Sequence, residues 1–183
     1  MAEDGHVDFL IGQHKTNERL AYLDYLEPPY LKDKVVIFFR KDAGIKSIQD
    51  LYDRPGAGLI GDAGIGLFKD YLAEKNINYK KKLYEVPDIE SVFKLLEANR
   101  VQYTVYGLNA GLCYIKKSKV ISYMDTPFPE REIYFAIAKK SKLMSKKKEI
   151  ETQYAALLKK VDIDKMVKIY LDICSAEADH QRK

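Results

Sequence analysis

Few residues in this chain are typed and spaced for chemistry. The glycine cluster Gly61-Asp62-Ala63-Gly64-Ile65-Gly66 follows an apolar run at 57–60 and precedes a helix-like stretch at 67–75. Backbone N–H groups at a helix start have no intrahelical partner, so such a loop can hold an anion. A tight strand-to-helix turn without a ligand is the other reading of the same residues. The overlapping Gly56-Ala57-Gly58-Leu59-Ile60-Gly61 matches G-x-G-x-x-G. A dinucleotide fingerprint must follow a strand and open a helix. Here Asp53-Arg54-Pro55 precedes it and the glycines fall inside the strand, which argues against a nucleotide site. No nucleophile stands beside a base, and His6, His14 and His180 are scattered. Asp62, Glu130 and His14 are candidates for general acid work. Cys113 and Cys174 lie in apolar helical contexts without partners at metal-ligand spacing. They read as buried free thiols, with a single disulfide left open. Arg19 and Thr16 share the polar stretch 12–19, where an arginine taken alone reads as a surface-loop residue.

The elements that must position these residues follow from apolar runs and breakers. Runs at 57–60, 83–86 and 101–106 alternate with helical patterns at 67–75 and 88–99, which predicts a βαβαβ unit with a parallel sheet. The turns Gly61–Gly66 and Tyr106-Gly107-Leu108-Asn109-Ala110 then leave the carboxyl edge of that sheet, where open α/β sheets bind ligands. Asp88 is a good N-cap, and Ile89, Val92, Phe93, Leu95 and Leu96 give its helix an apolar face. Further strands are predicted at Val7–Ile11, Lys34–Arg40, Val120–Tyr123 and Ile133–Ala138. Ser47-Ile48-Gln49-Asp50 resembles a capping box on a short helix. Glu27-Pro28-Pro29-Tyr30 and Thr126-Pro127-Phe128-Pro129 are breakers. Helices are predicted at 145–160 and at Asp162–Cys174, with a fraying tail at 176–183.

The 183 residues suffice for one large domain or two small lobes, and 46% apolar content suits a globular core. A net charge of +4 is slight, and the lysine runs at 80–82, 116–117 and 146–148 read as solvated surface rather than a nucleic-acid footprint. No stretch reaches membrane-spanning length. The polar, acidic start Met1–His6 is not a signal peptide. That fits a cytoplasmic protein, and equally a piece of a longer secreted one.

Several motifs in order carry a resemblance. They are Gly5-x-Val7-Asp8-Phe9, Thr16-Asn17-Glu18-Arg19, Glu27-Pro28-Pro29-Tyr30 and a strand ending Arg40-Lys41. Ile48-x-x-Leu51, a strand with a glycine loop, Asn99-Arg100-Val101 and Phe135-Ala136-Ile137-Ala138-Lys139-Lys140 follow. From about Gly5 to Leu171 the chain resembles bacterial extracellular solute-binding proteins of ABC transporters, in their polar amino-acid-binding group. The fold implied is α/β and type II periplasmic-binding-protein-like. It comprises a complete lobe at 42–125, a partial lobe from 1–33 and 139–183, and hinge strands at 34–41 and 126–138.

The implied function is capture, without chemistry, of a small carboxylate-bearing, amino-acid-like solute between lobes for transport. Alternatives on the same fold are a cyclohexadienyl-type dehydratase and a signalling sensor module. By resemblance Arg19 grips the ligand carboxylate as a bidentate fork with Thr16 beside it. Gly12, Gln13 and His14 replace the family's serines. Asp62, Ala63, Gly64 and Ile65 offer backbone N–H groups to the same carboxylate, one hydroxyl donor being missing. Tyr106 and Asn109 stand where amino-acid binders carry an Asp for the ligand ammonium. No metal or cofactor is implied. Partners are a solute and a permease, and the place is the periplasm. The family's opening strand, helix, strand and helix are absent. The apolar face of Val161, Ile163, Met166, Val167, Ile169, Tyr170 and Ile173 and an open strand edge are therefore expected to pair two copies.

Overall fold

The computed structural model describes residues 2–180. Its first strands are β1 (Phe9–Gln13), β2 (Leu23–Tyr25), β3 (Leu31–Asp33), β4 (Val35–Arg40) and β5 (Gly56–Leu59). Then come α1 (Ala63–Glu74), β6 (Leu83–Val86), α2 (Ile89–Glu97), β7 (Tyr103–Gly107) and α3 (Leu108–Lys117). The last are β8 (Ile121–Asp125), β9 (Arg131–Ala138), α4 (Lys147–Leu158) and α5 (Ile163–His180). The chain divides into two compact units, Met1–Asp33 with Glu130–Lys168, and Lys34–Pro129 with Ile169–Lys183.

In the first unit β9 is the spine, pairing antiparallel with β1, β2 and β3. The stretch Arg131–Ala138 is thus the centre of this sheet. Leu23, Tyr25, Tyr134, Ala136 and Ala138 form one apolar cluster, and Leu26, Ile137 and Tyr154 another. The first strand begins later than its apolar pattern suggested. It runs Phe9–Gln13, with an irregular register between Leu10 and Gln13, where Gly12 adopts φ +74°. β1 ends the sheet and leaves Ile11 65% exposed. β2 and β3 were not expected, because three residues are too few to display a period.

The second unit carries a five-stranded sheet in the order β6-β5-β7-β4-β8. β5 pairs parallel with β6 and β7, as the βαβαβ pattern predicts. β4 lies antiparallel between β7 and β8. It lies wholly within this sheet. The reason is burial on both faces. Val36, Ile37 and Phe38 are fully buried, and such a run marks a central strand. Phe68 and Leu72 of α1 cover one face with Val35 and Ile37; Val92, Phe93 and Leu96 of α2 cover the other with Val36 and Phe38. Thr104 is fully buried there and its hydroxyl lacks a hydrogen-bond partner. Ser47 and Asp50 form the expected capping box.

The G-x-G-x-x-G match has a packing cause. A Cβ on Gly56 would fall 2.3 Å from the Tyr103 ring, and one on Gly58 2.4 Å from Ile65. The glycines let a ring and a helix side chain lie against the strand.

The cysteines are not free thiols. Cys113 of α3 and Cys174 of α5 form a disulfide with Cα atoms 5.3 Å apart. The bridge lies within the second unit, which takes in the chain from Ile169. Asp162 caps α5 as expected, accepting from the Lys165 N–H at 2.9 Å. The helix continues to His180 through most of the expected tail. Residues 181–183 and Met1 lie outside the described residues, as does the His180 side chain. On α5, Met166, Ile169, Tyr170 and Ile173 are exposed.

Candidate ligand-binding site

The first unit gathers Gly12, His14, Thr16 and Arg19 in and after the irregular end of β1. The Thr16 hydroxyl accepts the Arg19 N–H at 3.2 Å, and the Thr16 carbonyl accepts from Leu20 at 2.9 Å. These bonds fix the 3-10 turn Arg19–Ala21 and with it the base of the Arg19 side chain. The His14 carbonyl accepts from the Tyr25 hydroxyl at 3.0 Å and lies 3.5 Å from Arg19 Nη1. His14 Nδ1 lies 3.0 Å from the Glu132 carbonyl, so β9 orients the ring. The spacing Thr-x-x-Arg thus has a local cause: the threonine closes the turn that presents the arginine.

Residues that sequence reasoning passed over join this group. Lys15 pairs with Glu27 and sits 4.1 Å over the Tyr134 ring and 5.5 Å from the Tyr25 ring. Arg131 donates to the Lys15 carbonyl at 3.2 Å. Burial raises the Tyr25 pKa, opposed by the Arg19 charge. Burial also raises that of Tyr30, opposed by a backbone hydrogen bond from Gly12. Tyr134 is pushed up by burial and by its bond to Glu132. Tyr25 and Tyr134 lie in strands, and only the β2–β9 pairing makes them neighbours, with ring centroids 5.6 Å apart.

The second unit gathers the others at one sheet edge. β5 and β7 run side by side and parallel, so the turns after them leave the same carboxyl edge. Gly61 takes φ +72° and Asp62 caps α1, which starts at Ala63. Asp62 Oδ1 accepts the N–H groups of Gly64 at 2.8 Å and Ile65 at 3.1 Å. A carboxylate of the chain itself thus engages these two donors. Gly64 is not at a positive φ. It lies in the first helical turn, where a Cβ would come 3.0 Å from Asp62 and 3.1 Å from Val35. The left-handed position is Gly61. Tyr106 is the penultimate residue of β7, and Asn109 is the second of α3, whose N-cap Gly107 offers no side chain. Glu130 is exposed just before β9.

Among the described residues no cluster of His, Cys, Asp and Glu could hold a metal ion. No described helix is long and apolar enough to cross a membrane.

No protein-family model matches the sequence, and no curated protein matches it. Solved structures do. An amino acid ABC transporter substrate-binding protein from Streptococcus pneumoniae, bound to L-arginine, superposes with TM-score 0.74 at 17% identity, over 96% of this chain and 70% of that one. A protein of glutathione import in Streptococcus mutans gives 0.75 at 16% identity, over 93% and 72%. A histidine kinase sensor domain similar to periplasmic binding proteins gives 0.68 at 21% identity, over 96% and 71%. The chain therefore has the type II periplasmic-binding-protein-like fold, and it spans about 70% of the length of these structures.

Proposed function

We propose that this chain binds a small carboxylate-bearing, amino-acid-like solute without transforming it, with Arg19 as the carboxylate anchor. The observation that carries the reading is the Thr16 hydroxyl bond that sets the Arg19 turn, in a chain of this fold. Arginine suits the task because its planar fork matches a carboxylate with two parallel hydrogen bonds. Delivery to an ABC permease and a place outside the cytoplasm belong to the same proposal. The Cys113–Cys174 bridge supports that place, since disulfides persist in oxidising compartments. A sensor module is the second reading, favoured by the likeness to a kinase sensor domain.

The test is a thermal-shift screen of amino acids followed by calorimetry. Arg19→Ala is expected to weaken the best solute by about 2–3 kcal/mol, and Arg19→Lys to recover only part of this. Undiminished binding by the alanine variant removes Arg19 from the site.

Pairing of two copies through the exposed α5 residues Met166, Ile169 and Ile173 is also part of the proposal. Light scattering on a size-exclusion column is expected to give twice the chain mass, and Ile169→Glu to halve it. A parent that elutes at single-chain mass ends the pairing idea.

A further inference from the structure

Among the described residues, no side chain of α5 belongs to an apolar cluster of either unit. Its Met166, Ile169, Tyr170 and Ile173, at helical spacings of three and four, stay exposed. The Cys113–Cys174 bridge joins the second half of the helix to α3. Within the second unit a cavity of about 540 Å³ lies against that bridge, and both cysteines line it. The stacked rings of Phe93 and Tyr114 line it too, with centroids 4.0 Å apart and planes 2° from parallel, as do Ile121 and Ile173. Two lysines and two glutamates complete the polar part of the lining, so its formal charges cancel. A volume of this size is that of a small-molecule site. A disulfide in a packed core has side chains on every side; this one has a cavity on one side.

We propose that the Cys113–Cys174 bridge is a thiol-exchange site, opened in the folded chain by a small thiol of about the size of cysteine that enters this cavity. Exchange requires a thiolate and access to a sulfur, and the cavity supplies the access without unfolding. The thiolate attacks Cys113 Sγ, the more exposed residue of the two at 7% against 3%. A new S–S bond joins the small thiol to Cys113, the bridge bond breaks, and its electron pair leaves on Cys174 as a thiolate. A second small thiolate then attacks the sulfur of the first. The small-molecule disulfide departs, and Cys113 keeps the electron pair as a thiolate. The protons given up by the two small thiols end on the two cysteines. Two thiols are oxidised and one bridge is reduced. The freed half of α5 has no apolar cluster to hold it, so opening the bridge releases the helix while the sheet keeps its core. The bridge is thus a latch on α5, set by the thiols around the chain. It stands whether or not the chain binds a carboxylate solute.

The experiment reduces the oxidised chain with 2-mercaptoethanol, quenches with N-ethylmaleimide and follows intact and peptide masses. The rate is expected to be first order in thiol, and equal in water and in urea below the unfolding transition, because no unfolding precedes attack. At early times the chain should carry one mercaptoethanol on Cys113 and one maleimide on Cys174. Ile173→Trp narrows the cavity from an exposed position. It is expected to slow reduction about tenfold through access alone, with the unfolding midpoint unchanged. A parent rate that climbs with urea along the unfolding curve overturns the inference, since reduction then requires the unfolded chain. An early adduct on Cys174 overturns it as well, and so do equal rates for the parent and a folded Ile173→Trp chain.

Discussion

Reduction of the Cys113–Cys174 bridge is expected to lower the stability of the second unit by about 4 kcal/mol. The two cysteines are separated by 61 residues, and closing a loop of that length removes much of the freedom of the unfolded chain. Both are buried, at 7% and 3% exposure, so the bridge joins packed surfaces rather than dangling ends. It also supplies the covalent hold on a helix whose Met166, Ile169 and Ile173 lie exposed. Urea unfolding of the oxidised chain and of the reduced, alkylated chain gives the difference directly. Hydrogen exchange in α5 should speed up selectively on reduction, because that helix loses its tie while the sheet keeps its core. Equal midpoints in the two states would show that the bridge contributes nothing to stability.

Gly111→Ala should cost about 3 kcal/mol or more, at the upper end of overpacking. Gly111 faces the Phe38 ring from α3. A Cβ built there falls 2.0 Å from Phe38 Cζ, and 2.5 and 2.8 Å from the two Cε atoms. The ring has nowhere to retreat. Phe38 is fully buried, with Phe93 edge-on at 5.3 Å and Tyr123 at 6.1 Å. The fall in midpoint is measured by thermal or urea unfolding. The double variant Gly111→Ala with Phe38→Leu should recover part of the loss, because the clash belongs to the pair and not to either residue. Full additivity of the two changes would place the cause in helix propensity or cavity formation, and alanine being the better helix former makes that sign wrong.

The legible parts of the fold are those whose causes lie within a few residues. Asp88 and Asp162 announce helix starts because a capping side chain acts over three residues, and both cap helices. Ser47 and Asp50 work over the same span. Val35–Phe38 declares a strand by its unbroken apolar run, though not which sheet receives it. The Gly56–Gly61 match is rejected as a nucleotide loop from position alone, and its true partners, Tyr103 and Ile65, become visible only in the packed sheet. β2 and β3 escaped notice because three residues hold too little pattern, and their pairing to β9 spans about a hundred residues or more.

The candidate site divides along the same line. Thr16 and Arg19 are three residues apart, so a local turn joins them and the sequence suffices to pair them. Lys15, Tyr25, Tyr134 and Arg131 meet only through strand pairing, and nothing in their spacing announces it. Asp62 shows the limit most clearly. Its place at a glycine-rich helix start was evident, and the same pattern suggested an anion site. Whether the N–H groups there are open to a ligand or taken by the chain depends on one side-chain rotamer, which sequence does not encode by spacing. The disulfide is of the same kind, because two thiols 61 residues apart carry no sign of each other. Local capping and apolar runs determine which elements form. Long-range packing decides which of their charges and donors remain for a partner.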